Sequence, residues 1–87
     1  MNTVFLLMAE FETADIPLKD CCEKYFGLQI KEACRKAATQ KLPVPVFRGG
    51  SQKSGWLISA QDLANFLDQK REDARNDWKR LNGNEAA

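Results

Sequence analysis

The chain has 87 residues, 44% of them hydrophobic and 29% charged, which excludes a disordered chain and predicts one small globular domain, residues 1–87. It contains no histidine, so imidazole metal ligands and histidine general bases are excluded. The net charge is only +1, but residues 31–53 carry six basic residues and one acidic residue. Residues 1–30 and residues 54–87 are both net acidic. A local basic block of this kind is what phosphate binding requires.

The first element is predicted to be a helix over Val4–Phe11, capped by Thr3. Because Val4–Ala9 is apolar in every direction, a buried strand is an open alternative. The segment lacks the basic flank and cleavage site of a signal peptide, and no apolar run approaches the roughly 20 residues that span a bilayer. We therefore expect a cytoplasmic protein that does not contact a membrane.

Two helices joined by a short turn follow, over about residues 17–40. Glu12–Ile16 is predicted to be a loop, Pro17 suits the first turn of a helix over Leu18–Tyr25, and Gly27 suits its left-handed end. The second helix, Gln29–Gln40, has small or apolar residues on one side and basic residues on the other. This order, length and polarity are typical of a helix-turn-helix.

The segment after the second helix predicts a β-hairpin, or wing, over about residues 44–58. Leu42–Phe47 contains two prolines and suits an edge strand, Arg48–Gly55 is rich in turn residues, and Trp56–Ile58 supplies the returning strand. A hairpin directly after a recognition-type helix indicates a winged helix-turn-helix.

A long C-terminal helix is predicted over about residues 59–82. Ser59 is a strong N-cap with Asp62 three residues on, and Ile58 and Leu63 suit a hydrophobic staple across it. The second half is highly charged, so its apolar residues need cover from elsewhere. Either a second copy of the chain covers them along a short seam, or they fold back onto residues 4–11; the candidate dimerisation residues are Leu67, Ala74, Trp78 and Leu81.

These elements predict the α+β fold class, as a small winged helix-turn-helix with a β-hairpin wing and a long C-terminal helix. The chain also resembles the pyocin activator protein PrtN family in several strings: Asn2-Thr3-Val4-Phe5-Leu6-Leu7-Met8-Ala9, Ile16-Pro17-Leu18, Tyr25-Phe26, Leu42-Pro43-Val44-Pro45-Val46, Ser51-Gln52-Lys53 and Gln61-Asp62-Leu63-Ala64. The resemblance covers about residues 2–70. It implies a transcriptional activator that binds repeated promoter elements upstream of phage-tail bacteriocin genes. At the level of fold, the chain is also similar to the winged-helix domains of phage excisionases and of the MerR type.

The candidate DNA contacts come from the residues themselves. A recognition helix in the major groove reads base edges with its first turns, and polar groups at a wing tip suit phosphate or minor-groove contact. Arg35 is the first candidate for reading a guanine. The helix candidates are Gln29, Lys31, Glu32, Arg35, Lys36 and Thr39, and the wing candidates are Arg48, Ser51, Gln52, Lys53 and Ser54.

Each candidate has a simpler interpretation. Glu32 and Lys36 have the four-residue spacing of a helix-surface ion pair, and a solvated loop has the same composition as the wing tip. Phe47 and Trp56 either stack on single-stranded nucleic acid or, more in keeping with wing strands, close the core.

The three cysteines form no paired framework, which fits a reducing compartment. Cys21 and Cys22 would point about 100° apart on one helix, so buried structural cysteines are favoured over a metal site made with Cys34 and a carboxylate. No catalytic motif and no cofactor are predicted, and an enzyme is the least favoured class.

The predicted function is sequence-specific binding of double-stranded DNA at promoter elements, with activation of bacteriocin or prophage genes in the nucleoid. RNA polymerase and a second copy of the chain are the other partners considered. An excisionase-like protein that bends DNA, and a phage-encoded protein-interaction module with an acidic partner, are the alternatives.

Overall fold

A computed structural model describes residues 2–50 and 55–83 and confirms the α+β class, with an architecture compatible with a winged helix-turn-helix. The described elements, in chain order, are α1 (Thr3–Phe11), β1 (Asp15–Pro17), α2 (Leu18–Phe26), α3 (Ile30–Ala38), β2 (Phe47–Arg48), β3 (Trp56–Ser59) and α4 (Ala60–Trp78), which continues into a π-helical turn (Lys79–Gly83). The three strands form one antiparallel sheet in the order β1-β3-β2.

The first segment is a helix and not a strand, but its predicted cap is wrong. Asn2 is the N-cap, because its side-chain oxygen accepts a hydrogen bond from the Phe5 backbone N–H at 3.0 Å. The Thr3 hydroxyl instead donates to Asp68 Oδ1 at 2.7 Å. Thr3 is therefore used to hold the start of α1 against α4.

Strand β1 lies where the sequence predicts a loop. Ile16 is fully buried and pairs with Ile58 of β3, and Asp15 pairs with Ser59. Three residues are too few for an alternating pattern to be recognised in the sequence. Pro17 is both the last residue of β1 and the N-cap of α2; it has no N–H to donate, which an edge strand tolerates.

The first wing strand is much shorter than the predicted Leu42–Phe47. Among the described residues before the turn, only Phe47 and Arg48 pair with β3, opposite Leu57 and Trp56. Residues 42–46 still alternate like a strand, since Leu42, Val44 and Val46 are buried and the two prolines between them are exposed. Because prolines cannot donate to a ladder, this stretch packs on the core without pairing.

The start of α4 confirms the predicted cap. The Ser59 hydroxyl oxygen accepts a hydrogen bond from the Asp62 N–H at 3.0 Å, and Ile58 and Leu63 on either side of it are fully buried. The core around them joins α1, α2, α3, the sheet and the first half of α4; its largest fully buried side chains are Ile16, Leu18, Ile58, Leu63, Cys21 and Cys22.

Candidate nucleic-acid interface

The turn between α2 and α3 sets the direction of α3. Gly27 adopts the predicted left-handed conformation at φ 67°, and its N–H donates to the Cys22 carbonyl. The Leu28 N–H donates to the same carbonyl at 3.2 Å. Gln29 is the N-cap residue of α3, and its backbone carbonyl accepts a hydrogen bond from the Ala33 N–H at 2.9 Å. These backbone bonds fix the turn, and Cys21 and Cys22 of α2 pack in the same core as Ala33 and Ala37 of α3.

Helix α3 buries its small residues and exposes its basic ones, as the pattern predicts. Ala33 and Ala37 are fully buried, whereas Lys31 and Arg35 are exposed on the opposite side. Lys31 and Arg35 lie four residues apart and so form one row along the outer face. This row is accessible to a ligand.

Helix α3 ends at Ala38, two residues before the predicted end at Gln40. Gln40 adopts a left-handed conformation at φ 56°, which α-helix continuation does not allow. The Thr39 hydroxyl donates back to the Lys36 carbonyl at 3.2 Å. Thr39 therefore closes the end of α3 in this structure.

Glu32 pairs with Arg35 and not with Lys36. The Arg35 guanidinium donates from Nε to Glu32 Oε1 at 3.1 Å and from Nη2 to Oε2. These bonds lower the pKa of the Glu32 carboxyl and raise the pKa of Arg35. The pair is solvent-exposed, so water and salt weaken it, and a ligand can replace one partner.

One side of α3 faces the hairpin. A groove of about 630 Å³ separates them; Ile30 and Cys34 line it from α3, and Arg48 and Trp56 line it from the hairpin. The Arg48 guanidinium carbon lies 4.3 Å from the centre of the Trp56 ring, directly across the β2–β3 ladder. Phe47 is 41% exposed and so does not close the core, whereas Trp56 packs against it. The wing candidates Ser51, Gln52, Lys53 and Ser54 lie outside the described residues.

The other side of α3 borders a second groove, which we call the lysine groove. It has a volume of about 380 Å³, and three lysines line it: Lys36 of α3, Lys41 of the following loop and Lys70 of α4. Its aromatic lining includes Phe26 and Phe66, whose rings meet edge to face at 5.3 Å. Within residues 2–50 and 55–83, none of these three lysines forms an ion pair with an acid.

Lys41 and Lys70 are absent from the candidates chosen from the sequence. Lys41 belongs to the basic block of residues 31–53, so its charge was a usable signal. Lys70 lies among residues of mixed charge in α4, and the packing of Phe66 on Phe26 brings it to the groove that Lys36 also lines. No pattern in the sequence identifies it.

The candidate dimerisation residues do not share one environment. Leu67 packs partly buried against the core, whereas Trp78 and Leu81 are exposed. Within the described residues, the end of α4 does not fold back onto α1. Arg71 donates a hydrogen bond to Thr3 at the very start of α1, and α4 continues beyond that point. That alternative is therefore wrong.

Cys21 and Cys22 are buried, as predicted, and Cys34 is half-buried. Burial raises the pKa of the Cys21 thiol to about 12, so this thiol is protonated at neutral pH. Across the described part of the chain, no three cysteine or carboxylate side chains lie close enough together to hold a metal ion. None of the described helices is long and apolar enough to cross a membrane.

Comparison with known proteins gives a family match. The family model described as Pyocin activator protein PrtN matches residues 3–74. The search of curated proteins and the search of solved structures found no significant match. The matched span contains α3, the hairpin and all three lysines of the lysine groove.

Proposed function

Since the chain belongs to the pyocin activator protein PrtN family, we propose that it binds double-stranded promoter DNA sequence-specifically and activates pyocin or related prophage genes. It would do so in the cytoplasm, at the nucleoid, and activation would require a contact with RNA polymerase. The resemblance in sequence and the family match support the regulatory role; the surface around α3 supports the binding of DNA.

One observation carries the proposal: α3 presents a basic row between two basic flanks. Lys31 and Arg35 face outward, Arg48 lies on the hairpin side, and the lysine groove lies on the other side. The major groove of B-DNA is about 12 Å wide and accepts one α-helix, with a phosphate backbone on each side. A helix seated there would bring each flank to one backbone.

The roles follow from the chemistry of each side chain. Arg35 presents the planar fork that binds guanine O6 and N7, after leaving Glu32. Lys31, Arg48 and the three groove lysines would bind phosphates and set the register. If these five cations each contact a phosphate, the logarithm of the DNA association constant K should fall with the logarithm of the salt concentration with a slope of roughly −4 to −5.

The test compares Arg35→Ala with Arg75→Ala in fluorescence anisotropy on pyocin promoter DNA and on random duplex. Arg75 forms an exposed ion pair with Glu72 three residues earlier, just as Arg35 does with Glu32, but on α4. We expect Arg35→Ala to weaken promoter binding by roughly 10- to 100-fold, the value of one bidentate base contact, and Arg75→Ala to leave it within about twofold.

Promoter affinity that is equal in wild type and Arg35→Ala would overturn the placement of α3 in the groove. Lack of any salt-dependent binding would favour a protein-interaction module instead. Transcription in vitro with RNA polymerase tests activation, and a DNA-bending assay separates this role from an excisionase-like one.

A further inference from the structure

Helix α1 is apolar on both of its sides, but only one side is covered. Leu7 is buried, and Val4 and Phe11 pack against the core. On the opposite side Phe5 is 59% exposed, and Leu6 and Met8 are also exposed. A helix that is hydrophobic all round is normally buried all round, so this outer face needs a partner.

A second uncovered apolar surface lies at the end of α4. Leu63 and Leu67 face the core, and Ala74 and Trp78 follow within about 60° of Leu63 around the same helix. Trp78 is 63% exposed and Leu81 is 73% exposed. No other element within the described ranges covers this face beyond the contact between Arg71 and Thr3.

The two surfaces adjoin each other in one strip. Arg71 Nη1 donates to the Thr3 hydroxyl at 3.0 Å, which places the start of α1 beside Arg71. Trp78 follows seven residues later, about 10 Å along the helix. A two-fold axis between the surfaces would therefore lay each of them on the other.

We propose that the chain forms a two-fold symmetric dimer, independently of DNA, in which the end of α4 of one copy packs across the outer face of α1 of the other. Trp78 and Leu81 of one copy cover Phe5, Leu6 and Met8 of the second copy. Each contact occurs twice, as in any isologous interface.

The charges favour a second copy as the occupant. Helix α1 starts beside Arg71 and the segment after it ends beside Ala60, whose N–H donates to the Ala14 carbonyl; α1 thus runs antiparallel to α4. In the dimer the two-fold axis is perpendicular to α4, so the partner's α4 runs antiparallel to the first copy's α4 and parallel to α1. The partner's last residues therefore point toward the acidic C-terminal end of α1. That end carries Glu12 and the partner's end carries Lys79, and neither forms an ion pair within the described residues, whereas Glu10 pairs with Lys24 and Arg80 with Asp77.

Apart from Lys70 in the lysine groove, the rest of α4 neither repels a second copy nor attracts DNA. Three ion pairs at three-residue spacing neutralise most of its charges within the helix; they join Asp68 to Arg71, Glu72 to Arg75, and Asp77 to Arg80. A surface that binds phosphates needs unneutralised cations. An apolar stripe beside self-neutralised charges fits a protein surface of the same kind.

The available area also fits. The Phe5 and Trp78 rings of two copies offer on the order of 500 Å² of exposed apolar surface. Leu6, Met8 and Leu81 from both copies bring the total to roughly 1,200 Å², the lower end of specific interfaces. A seam between two α4 helices would offer less, because Leu67 is already partly buried against the core.

Sedimentation velocity tests the dimer, with Trp78→Glu and Phe5→Glu against the control Asn76→Glu. Asn76 is exposed on the opposite side of α4, so the control adds the same charge away from the strip. Wild type and Asn76→Glu should reach twice the single-chain mass of 9.9 kDa. Each of the other two variants should raise the dissociation constant by about 30-fold or more, with unchanged circular dichroism because both side chains are exposed. A monomeric wild type, or equal dissociation by Asn76→Glu, would overturn the proposal.

Cross-linking fixes the arrangement. In a Cys34→Ser background, a mixture of Phe5→Cys and Trp78→Cys chains should form a mixed disulfide, and a mixture of Phe5→Cys and Asn76→Cys chains should not. If Trp78→Cys chains link only to each other, the contact is a seam between two α4 helices, and the proposed arrangement is wrong.

Discussion

Arg35 and Glu32 lie one turn apart on α3, and the guanidinium of Arg35 is bound to both carboxylate oxygens of Glu32. The fork that would read a guanine is thus occupied by a carboxylate of the same helix. A guanine must displace the Glu32 carboxylate from Arg35 by offering two good hydrogen bonds. A phosphate must do the same and must also bring its own negative charge close to that carboxylate. Glu32 therefore disfavours nonspecific contacts more than specific ones.

We expect Glu32→Gln to raise the affinity for random duplex several-fold, because Arg35 then makes roughly one more phosphate contact. The ratio of promoter affinity to random-duplex affinity should fall. The slope of log K against log salt on random duplex should steepen by about 0.9. The matched control is Glu72→Gln, which breaks the equivalent pair on α4. An equal gain in both variants would show that only net charge matters, and Glu32 would have no special role.

The lysine groove leads to a different signature in DNA binding. Lys41→Ala and Lys70→Ala should each weaken binding to promoter DNA and to random duplex by the same factor, because phosphates carry no sequence information. Each change should flatten the salt slope by about 0.9. Arg75→Ala, which removes the same charge about one and a half turns beyond Lys70, should leave the slope unchanged. A loss confined to promoter DNA would instead place these lysines at base edges.

The parts of the fold that the sequence predicts well are those with local causes. Gly27 is needed where the chain turns with positive φ, and Ser59 caps α4 with its own hydroxyl, so short strings suffice for both. The parts that the sequence misses depend on distant residues. Asn2 and Thr3 are both good caps, but Asn2 is the N-cap, and the Thr3 hydroxyl donates to Asp68, 65 residues away.

The candidate site divides in the same way. The basic row of α3 follows from helical spacing, which one segment contains in full. The lysine groove does not, because Lys70 lines the same groove as Lys36 through the contact of Phe66 with Phe26, which lie on different helices. Strand β1 is missed for a related reason, since Ile16 becomes a strand residue by pairing with Ile58, far along the chain.

Gly27→Ala should lower the free energy of unfolding by about 1–2 kcal/mol, the cost of a left-handed conformation for a residue with a Cβ. A Cβ at this position would meet no atom within 4 Å, so the cost is in the backbone alone. Urea unfolding measures it, and Gly27→Asn should lose less because asparagine tolerates this conformation better. Gly55→Ala is the control, since Gly27 is the one glycine with positive φ in the described part of the chain. An equal loss at both glycines would contradict this explanation.

The contact between α1 and α2 predicts a pH-dependent stability. Glu10 accepts hydrogen bonds from Lys24 Nζ and, at 3.0 Å, from the Tyr25 hydroxyl. The Lys24 bond is the largest cause that lowers the pKa of Glu10 below its ordinary 4.5. A carboxyl whose pKa is lower in the folded state stabilises the fold above its unfolded pKa and loses this effect as pH falls through the folded pKa.

Glu10→Gln should therefore lower the melting temperature at pH 7, and the difference from wild type should shrink below about pH 4.5 and disappear once Glu10 is protonated in both states. The effect should be small, because the pair is solvent-exposed. Thermal melts between pH 7 and pH 3 measure it, with Glu23→Gln as the control, since Glu23 is an exposed carboxylate of α2 outside the described ion pairs. A difference that stays constant down to pH 3 would mean that Glu10 acts through packing and not through its charge.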